Sequence, residues 1–138
     1  MEQNCKNNGG DNMSNYKLPK ELKKQMEKEL RQYYYNKKKL NRLKQDIIEK
    51  KETSVDPTGN KITKLESTRS LIYLEERVHY VENVYNRLRP FEQEVYNLIF
   101  KENCDSMYCE NIKRISKTTY YNILNKSIYY LAEEWGEI

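Results

Sequence analysis

The chain has 138 residues, of which 37% are hydrophobic and 33% charged, and its formal net charge at pH 7 is +4. That length suits one small domain, alone or with an extension, and leaves little room for a multidomain enzyme. Four glycines and three prolines are too few for most all-β architectures, so we expect an all-α protein.

The residue pattern favours a cytoplasmic protein. No uncharged apolar run approaches the roughly 18 residues that a transmembrane helix needs, and the first residues contain no hydrophobic segment typical of a signal peptide. Cys5, Cys104 and Cys109 form no paired pattern, which favours free thiols in a reducing compartment. We therefore expect no membrane association and no disulfide.

The N-terminal part of the chain has two sections. Residues 1–16 are rich in Asn and Gly without periodic apolar positions, which predicts a disordered leader. From Leu18 onward, apolar residues recur at steps of three or four, which predicts one long amphipathic helix ending near Lys51. These apolar residues are Leu22, Met26, Leu30, Tyr33, Leu40, Leu43 and Ile47. Residues 53–60, which include Pro57 and Gly59, are typical of a loop.

A second helix follows, with an apolar seam of heptad type. Its seam residues are Leu71, Leu74, Val78, Val81, Tyr85 and Leu88. Such a seam needs a partner helix, which is either the first helix folded back or a second copy of the chain. Residues 17–89 are thus predicted to form a helical hairpin or coiled-coil arm.

Residues 90–138 are predicted to form three shorter helices. Pro90 suits the start of the first, and Asp105 or Ser106 can cap a second that runs through Ile112. Ser116 suits the cap of the third, which Gly136 ends. The apolar positions expected to face the core are Phe91, Val95, Leu98 and Ile99 on the first helix and Tyr120, Leu124, Ile128, Leu131 and Trp135 on the third.

The lengths and order of these three helices, with the tight connection Lys113–Ser116 before the last, are those of a helix-turn-helix. If the apolar stripe faces the core, the last helix presents several polar side chains outward near its N-terminal end. They are Lys117, Thr118, Tyr121, Asn122 and Asn125. Asn pairs bidentately with adenine, and Lys binds guanine or phosphate, so this helix is predicted to bind the DNA major groove.

The charge distribution favours the same surface. Residues 90–138 contain five basic and eight acidic residues, but the stretch 113–126 contains four basic residues and no acidic one. Residues 17–64 contain fifteen basic and seven acidic residues, including the run Lys37–Lys39. This run either contacts phosphates beside the helix-turn-helix or forms the solvated face that an amphipathic helix needs.

No residue pattern indicates catalysis or a cofactor. Cys104 and Cys109 have no histidine near them to complete a metal site, and His79 lies in the second helix without a triad pattern. No glycine-rich loop for phosphate binding is present. We therefore expect no enzymatic activity, no catalytic residue, no metal, no cofactor and no small-molecule substrate.

Three segments resemble the RinA/ArpU family of phage transcriptional regulators. They are SVDPTGNKITKLE at 54–66, YVENVYNRLRPFEQEVYNLIF at 80–100 and ISKTTYYNILNKSIYYLAEEWG at 115–136. The last is similar to the recognition helix of sigma-factor region-four-like domains, and Ser116, Thr119, Tyr120 and Tyr121 match its motif. Asn122 departs from the basic residue that is frequent there, and residues 107–112 lack the small-residue pair of the motif.

The resemblance implies a cytoplasmic protein of a bacterial host that binds double-stranded DNA and activates phage or prophage late-gene transcription. The candidate DNA-binding residues are Lys113, Arg114, Ser116, Lys117, Thr118, Thr119, Tyr121, Asn122, Asn125 and Lys126. A homodimer and a contact with RNA polymerase are further hypotheses. Two alternatives stay open at this point: a small terminase-like DNA-packaging subunit, and a coiled-coil adaptor that does not bind DNA.

Overall fold

The structure, a computed structural model, describes residues 17–52 and 57–138, with side chains described for residues 17–49 and 68–138. All regular elements in these ranges are helical, which confirms the all-α expectation. The α-helices are α1 Lys20–Arg31, α2 Tyr33–Glu52, α3 Pro57–Arg87, α4 Pro90–Tyr96, α5 Ser106–Asn111 and α6 Lys117–Glu134, and a π-helical segment, Asn97–Lys101, directly follows α4. Within the described ranges no helix has the length and apolar character that a bilayer crossing requires. The predicted leader, residues 1–16, lies outside them.

The predicted single N-terminal helix is two helices, α1 and α2, separated by a break at Gln32. Backbone hydrogen bonds span the break, because the amide of Gln32 donates to the carbonyl of Lys28 and the amide of Asn36 donates to the carbonyl of Gln32. The break lets the two helices follow different surfaces, with α1 packed on α6 and α2 packed on α3. The continuous-helix prediction was wrong here because apolar spacing does not reveal that two successive stretches have different partners.

The helices α2 and α3 run antiparallel. In the ion pairs Lys37–Glu82 and Lys44–Glu75, the residue number on α3 decreases as the residue number on α2 increases. A small apolar cluster lies between them. It consists of the buried residues Leu40, Leu74 and Val78, with Tyr33, Leu43 and Leu71 packed against them. Leu71, Leu74 and Val78 of the predicted seam thus pack against α2. The helical arm, and pairing between two copies of the chain, stay predictions.

The predicted loop at 53–60 is helical in its second half. Residues 53–56 lie outside the described ranges, and α3 begins at Pro57. A proline is accepted at the first helical position, because its missing N–H would have no intrahelical partner there. The loop prediction was therefore wrong for residues 57–60.

One hydrophobic core joins α1 to the C-terminal helices. Its most deeply buried members are Met26, Leu30, Val84, Val95, Ile99, Cys109, Ile128, Leu131 and Ala132. A hydrogen-bonded ion pair also joins α1 to α3: the Arg77 guanidinium donates to Glu29 with N–O distances of 3.0 and 2.5 Å. This core crosses the predicted domain boundary at residues 89 and 90, and the division into two domains stays a prediction.

Phe91 does not face the core as predicted. Val95 and Ile99 are buried and Leu98 is half-buried, but Phe91 is 57% exposed. The inner position in the first turn of α4 belongs to Glu92, whose carboxylate accepts a hydrogen bond of 2.9 Å from the Arg89 amide.

The predicted cap at the start of α5 and the predicted stop after α6 are confirmed. Of the two candidate caps for α5, Asp105 is the one that caps it, since its carboxylate accepts the Tyr108 amide at 2.8 Å. The helix α6 ends at Glu134, and Gly136, two residues later, has a φ of +75°, a left-handed conformation that glycine adopts without steric cost. The Gly136 amide donates to the Glu133 carbonyl at 3.1 Å, which satisfies one of the free carbonyls at the end of the helix.

Leu30→Ala tests whether α1 is an integral part of the core. The side chain of Leu30 is fully buried, so the substitution should lower the free energy of unfolding by about 2–5 kcal/mol. Lys24→Ala, on the exposed side of the same helix, should change it by less than about 0.5 kcal/mol. Urea unfolding followed by circular dichroism measures both, and equal stabilities of the two variants would contradict the packing of α1.

Candidate nucleic-acid interface

The connection between α5 and α6 is a compact turn that exposes two basic residues. The amides of Lys113 and Ile115 both donate to the Cys109 carbonyl, at 3.2 and 2.9 Å, and so fold the chain back on α5. Arg114 has a φ of +61°, a conformation that costs a non-glycine residue about 1–2 kcal/mol. The side chains of Lys113 and Arg114 are exposed, as predicted.

Ser116 caps the N-terminus of α6. Its Oγ accepts the amide hydrogen bond of Thr119 at 3.1 Å and lies 3.0 Å from the Thr119 Oγ1. Both hydroxyl groups therefore take part in the cap. The structure assigns these two candidate DNA-binding residues a local structural role.

The first two turns of α6 carry the outward-facing polar side chains. Lys117 and Thr118 are exposed and Asn122 is half-buried. Tyr121 is also exposed, and its hydroxyl lies 3.4 Å from the Ser106 Oγ. The outward orientation predicted for this end of the helix is confirmed for Lys117, Thr118 and Tyr121.

Hydrogen bonding by Tyr120 fixes the position of this end of α6. The ring of Tyr120 is buried in the core, and its hydroxyl donates to the Cys104 carbonyl at 3.1 Å. Burial raises the pKa of this hydroxyl above its ordinary value, although the nearby Arg31 acts in the opposite direction. The hydrogen bond ties α6 to the segment after the π-helical turn.

Asn125 is not part of an outward surface, and its prediction was wrong. Its exposed fraction is 6%, because α6 is buried on more sides than the apolar stripe indicated. The helices α1, α3, α4 and α5 all pack on α6, so its middle section has no broad solvent face. Ser127 in the same section is fully buried, and its hydroxyl donates to the Ile123 carbonyl.

Lys126 is likewise unavailable as a free cation. Its ammonium group lies 2.7 Å from the Glu92 carboxylate, and the two side chains are only 15% and 10% exposed. Burial alone would raise the pKa of Glu92, but hydrogen bonds from Lys126 and from the Arg89 amide outweigh it, and the pKa lies below its ordinary value. Lys126 is therefore not an exposed cation, and its role as a DNA contact stays a prediction that this ion pair disfavours. The sequence did not reveal the pair, since Glu92 lies 34 residues away along the chain.

Three cations of the predicted surface remain exposed. Lys117 lies 4.0 Å from Glu110, but both side chains are about half exposed, so solvent and salt screen this pair strongly. We call Lys113, Arg114, Lys117, Thr118 and Asn122 the reading surface. The arrangement offers positive charge and hydrogen-bond donors at the exposed end of a helix that four other helices pack against.

Sequence reasoning missed the apolar side chains beside this surface. Met107 and Ile112 of the α5 region are about 60% exposed, and Tyr108 is 43% exposed. The sequence feature that could have indicated these exposed apolar side chains is the lack of the motif's small-residue pair in residues 107–112.

The two described cysteines are free thiols. Cys109 is buried, and this burial raises the pKa of its thiol, while Cys104 is half-buried. Within residues 17–49 and 68–138, no group of three or more His, Cys, Asp or Glu side chains is arranged to hold a metal ion. His79 is exposed, and its Nε2 lies 3.2 Å from the side-chain amide of Asn83.

No protein family, no curated protein and no solved structure matches this chain.

Glu92→Gln tests the buried ion pair that holds α4 against α6. The folded-state pKa of Glu92 lies below its ordinary value of 4.5, so the ionised carboxylate stabilises the fold above that pH. At pH 7 the variant should lose about 1–3 kcal/mol of unfolding free energy. As the pH falls through the folded-state pKa, the wild type loses the same contribution and the difference shrinks.

Chemical unfolding at neutral pH and at about pH 3 measures this difference. Glu94→Gln, on the exposed side of α4, is the matched control and should have no such effect. A destabilisation by Glu92→Gln that is equal at both pH values would contradict the assignment.

Proposed function

We propose that this protein is a sequence-specific, double-stranded DNA-binding transcriptional regulator. In this proposal α4, α5 and α6 form a helix-turn-helix domain, α6 is the recognition helix, and α2 with α3 forms an arm. The observation that carries the proposal is the position of Lys117, Thr118 and Asn122 at the exposed end of a helix that is otherwise buried.

The reading surface has the size and chemistry of a major-groove contact. Lys117 and Asn122 lie five residues apart, which is a rise of about 7.5 Å along an α-helix. Base pairs are about 3.4 Å apart, so these side chains reach two or three neighbouring pairs. Asn122 suits adenine, Lys117 suits guanine or phosphate, and Thr118 suits a thymine methyl group or phosphate.

Phosphate contacts would come from the turn before α6. Lys113 and Arg114 are exposed there, and the amides at the N-terminal end of α6 add partial positive charge. The same turn connects α5 to α6, so a phosphate contact here fixes how deeply α6 enters the groove.

The family resemblance extends the proposal to activation of phage or prophage late genes, with contact to RNA polymerase. A single helix-turn-helix gives modest affinity, and two copies bound to half-sites about one DNA turn apart overcome this limit. We therefore include a homodimer in the proposal. Light scattering that reveals rings of many copies would instead favour the terminase-like alternative.

The salt dependence of DNA binding tests the cations of the reading surface. Each neutralised phosphate adds about −0.9 to the slope of log affinity against log salt, so replacing Lys113, Arg114 and Lys117 by Gln should reduce its magnitude by about 2.7. Lys126→Gln should leave the slope unchanged, because Lys126 is bound to Glu92. Fluorescence anisotropy with a labelled duplex measures these slopes, and equal slopes for the wild type and the triple variant would refute the surface.

Asn122→Ala tests base recognition. On a site selected from a random duplex library, the variant should lose about 1–3 kcal/mol of binding free energy if Asn122 contacts a base bidentately. On random DNA it should bind like the wild type. Asn86→Ala, an exposed asparagine on α3, is the control and should change neither affinity. Equal losses by Asn122→Ala on both duplexes would make Asn122 a backbone contact.

A further inference from the structure

The pair formed by α2 and α3 has two unlike long sides. On one side, which we call the ion-paired side, Lys37 lies 2.7 Å from Glu82 and Lys44 lies 3.4 Å from Glu75. The Tyr33 hydroxyl also donates to Glu82, at 2.6 Å. Lys37 and Lys44 on this side thus each lie beside a carboxylate of α3 that offsets part of their positive charge.

The opposite side, which we call the tyrosine side, is a groove of about 550 Å³ between the two helices. Its lining includes Tyr35, Lys39 and Arg42 from α2 and Ser70 and Tyr73 from α3. The side chains of Lys39 and Arg42 are exposed, and neither forms an ion pair within the described part of the chain. The two tyrosines are 60% and 59% exposed, so neither contributes much to a core.

Two further charges in the groove limit what it can bind. Arg77 is held by Glu29 and lies over the ring of Tyr73, at 5.0 Å from its centre, so it is not a free cation. Asp46 is the one acidic residue in the described lining. Among the lining residues of α2, Asp46 is the farthest along the chain from Tyr35. Its negative charge therefore disfavours an anion least at the Tyr35 end of the groove.

The remaining groups are those that bind a nucleic-acid backbone. Lysine, arginine, tyrosine and serine side chains are among the groups that contact phosphates in protein–DNA complexes. Lys39 and Arg42 are three residues apart on one helix face, a rise of about 4.5 Å, so each can meet its own phosphate on a duplex that carries one charge per roughly 1.7 Å of axis.

From this arrangement we propose that the tyrosine side of the α2–α3 pair binds the sugar-phosphate backbone of duplex DNA. The inference rests on the proposed DNA-binding function and adds a second surface to it. This surface supplies affinity without base recognition. It also assigns different roles to the run Lys37–Lys39, since Lys37 is bound to Glu82 and Lys39 faces the groove.

The test compares two charge-matched double variants of the full chain. Lys39→Gln with Arg42→Gln removes two cations from the tyrosine side, and Lys37→Gln with Lys44→Gln removes two from the ion-paired side. With a labelled duplex of mixed sequence, the first variant should reduce the magnitude of the salt slope by about 1.8. The second should reduce it by less, because Lys37 and Lys44 each lie beside a carboxylate. Circular dichroism and thermal unfolding verify that both variants are folded.

The outcomes separate this inference from the proposed function. Wild-type binding that weakens with reading-surface substitutions, but has the same slope in both double variants, would overturn the inference and leave the proposed function intact. An equal reduction of the slope in both variants would also overturn it, because net charge alone would explain the effect. A wild type that does not bind duplex DNA would overturn both proposals.

Discussion

The burial of α6 is the constraint on which the rest of the structure depends. Four helices, α1, α3, α4 and α5, pack on it, and Ile128 and Leu131 in its second half are almost inaccessible to solvent. A helix enclosed in this way can meet a large partner only through an end. Its C-terminal end is tied to α3, where Arg87 contacts Glu133 and Glu134, so the N-terminal end is the one left exposed.

The packing also divides the basic residues into two functional groups. One group holds helices together: Lys126 joins α6 to α4, Arg77 joins α3 to α1, and Lys37 joins α2 to α3. The other group, which includes Lys113, Arg114, Lys39 and Arg42, is exposed. Net charge counted along the sequence mixes the two groups, whereas a nucleic acid would meet only the second.

The local elements could be predicted from the sequence, because their causes are local. The seam of α3, the caps at Asp105 and Ser116 and the end at Gly136 depend on residues within a few positions of each other. The break at Gln32 and the exposure of Phe91 depend on which helix packs against which. The ion pair between Glu92 and Lys126 joins distant parts of the chain, and no periodicity of α6 reveals it.

For the candidate site, the sequence predicted which end of α6 is exposed but extended the exposed surface too far. Lys117, Thr118 and Asn122 follow from the capping residue and the helical repeat. Asn125 and Lys126 occupy the next turn, where the packing of the surrounding helices decides exposure.

The most direct measurement is a titration of the isotopically labelled protein with its selected duplex, followed by the backbone amide chemical shifts. We expect the largest shifts in the turn before α6 and in its first two turns, from Lys113 to Asn122. Shifts concentrated on α3 and on the C-terminal end of α6, with residues 113–122 unchanged, would contradict the proposed binding surface.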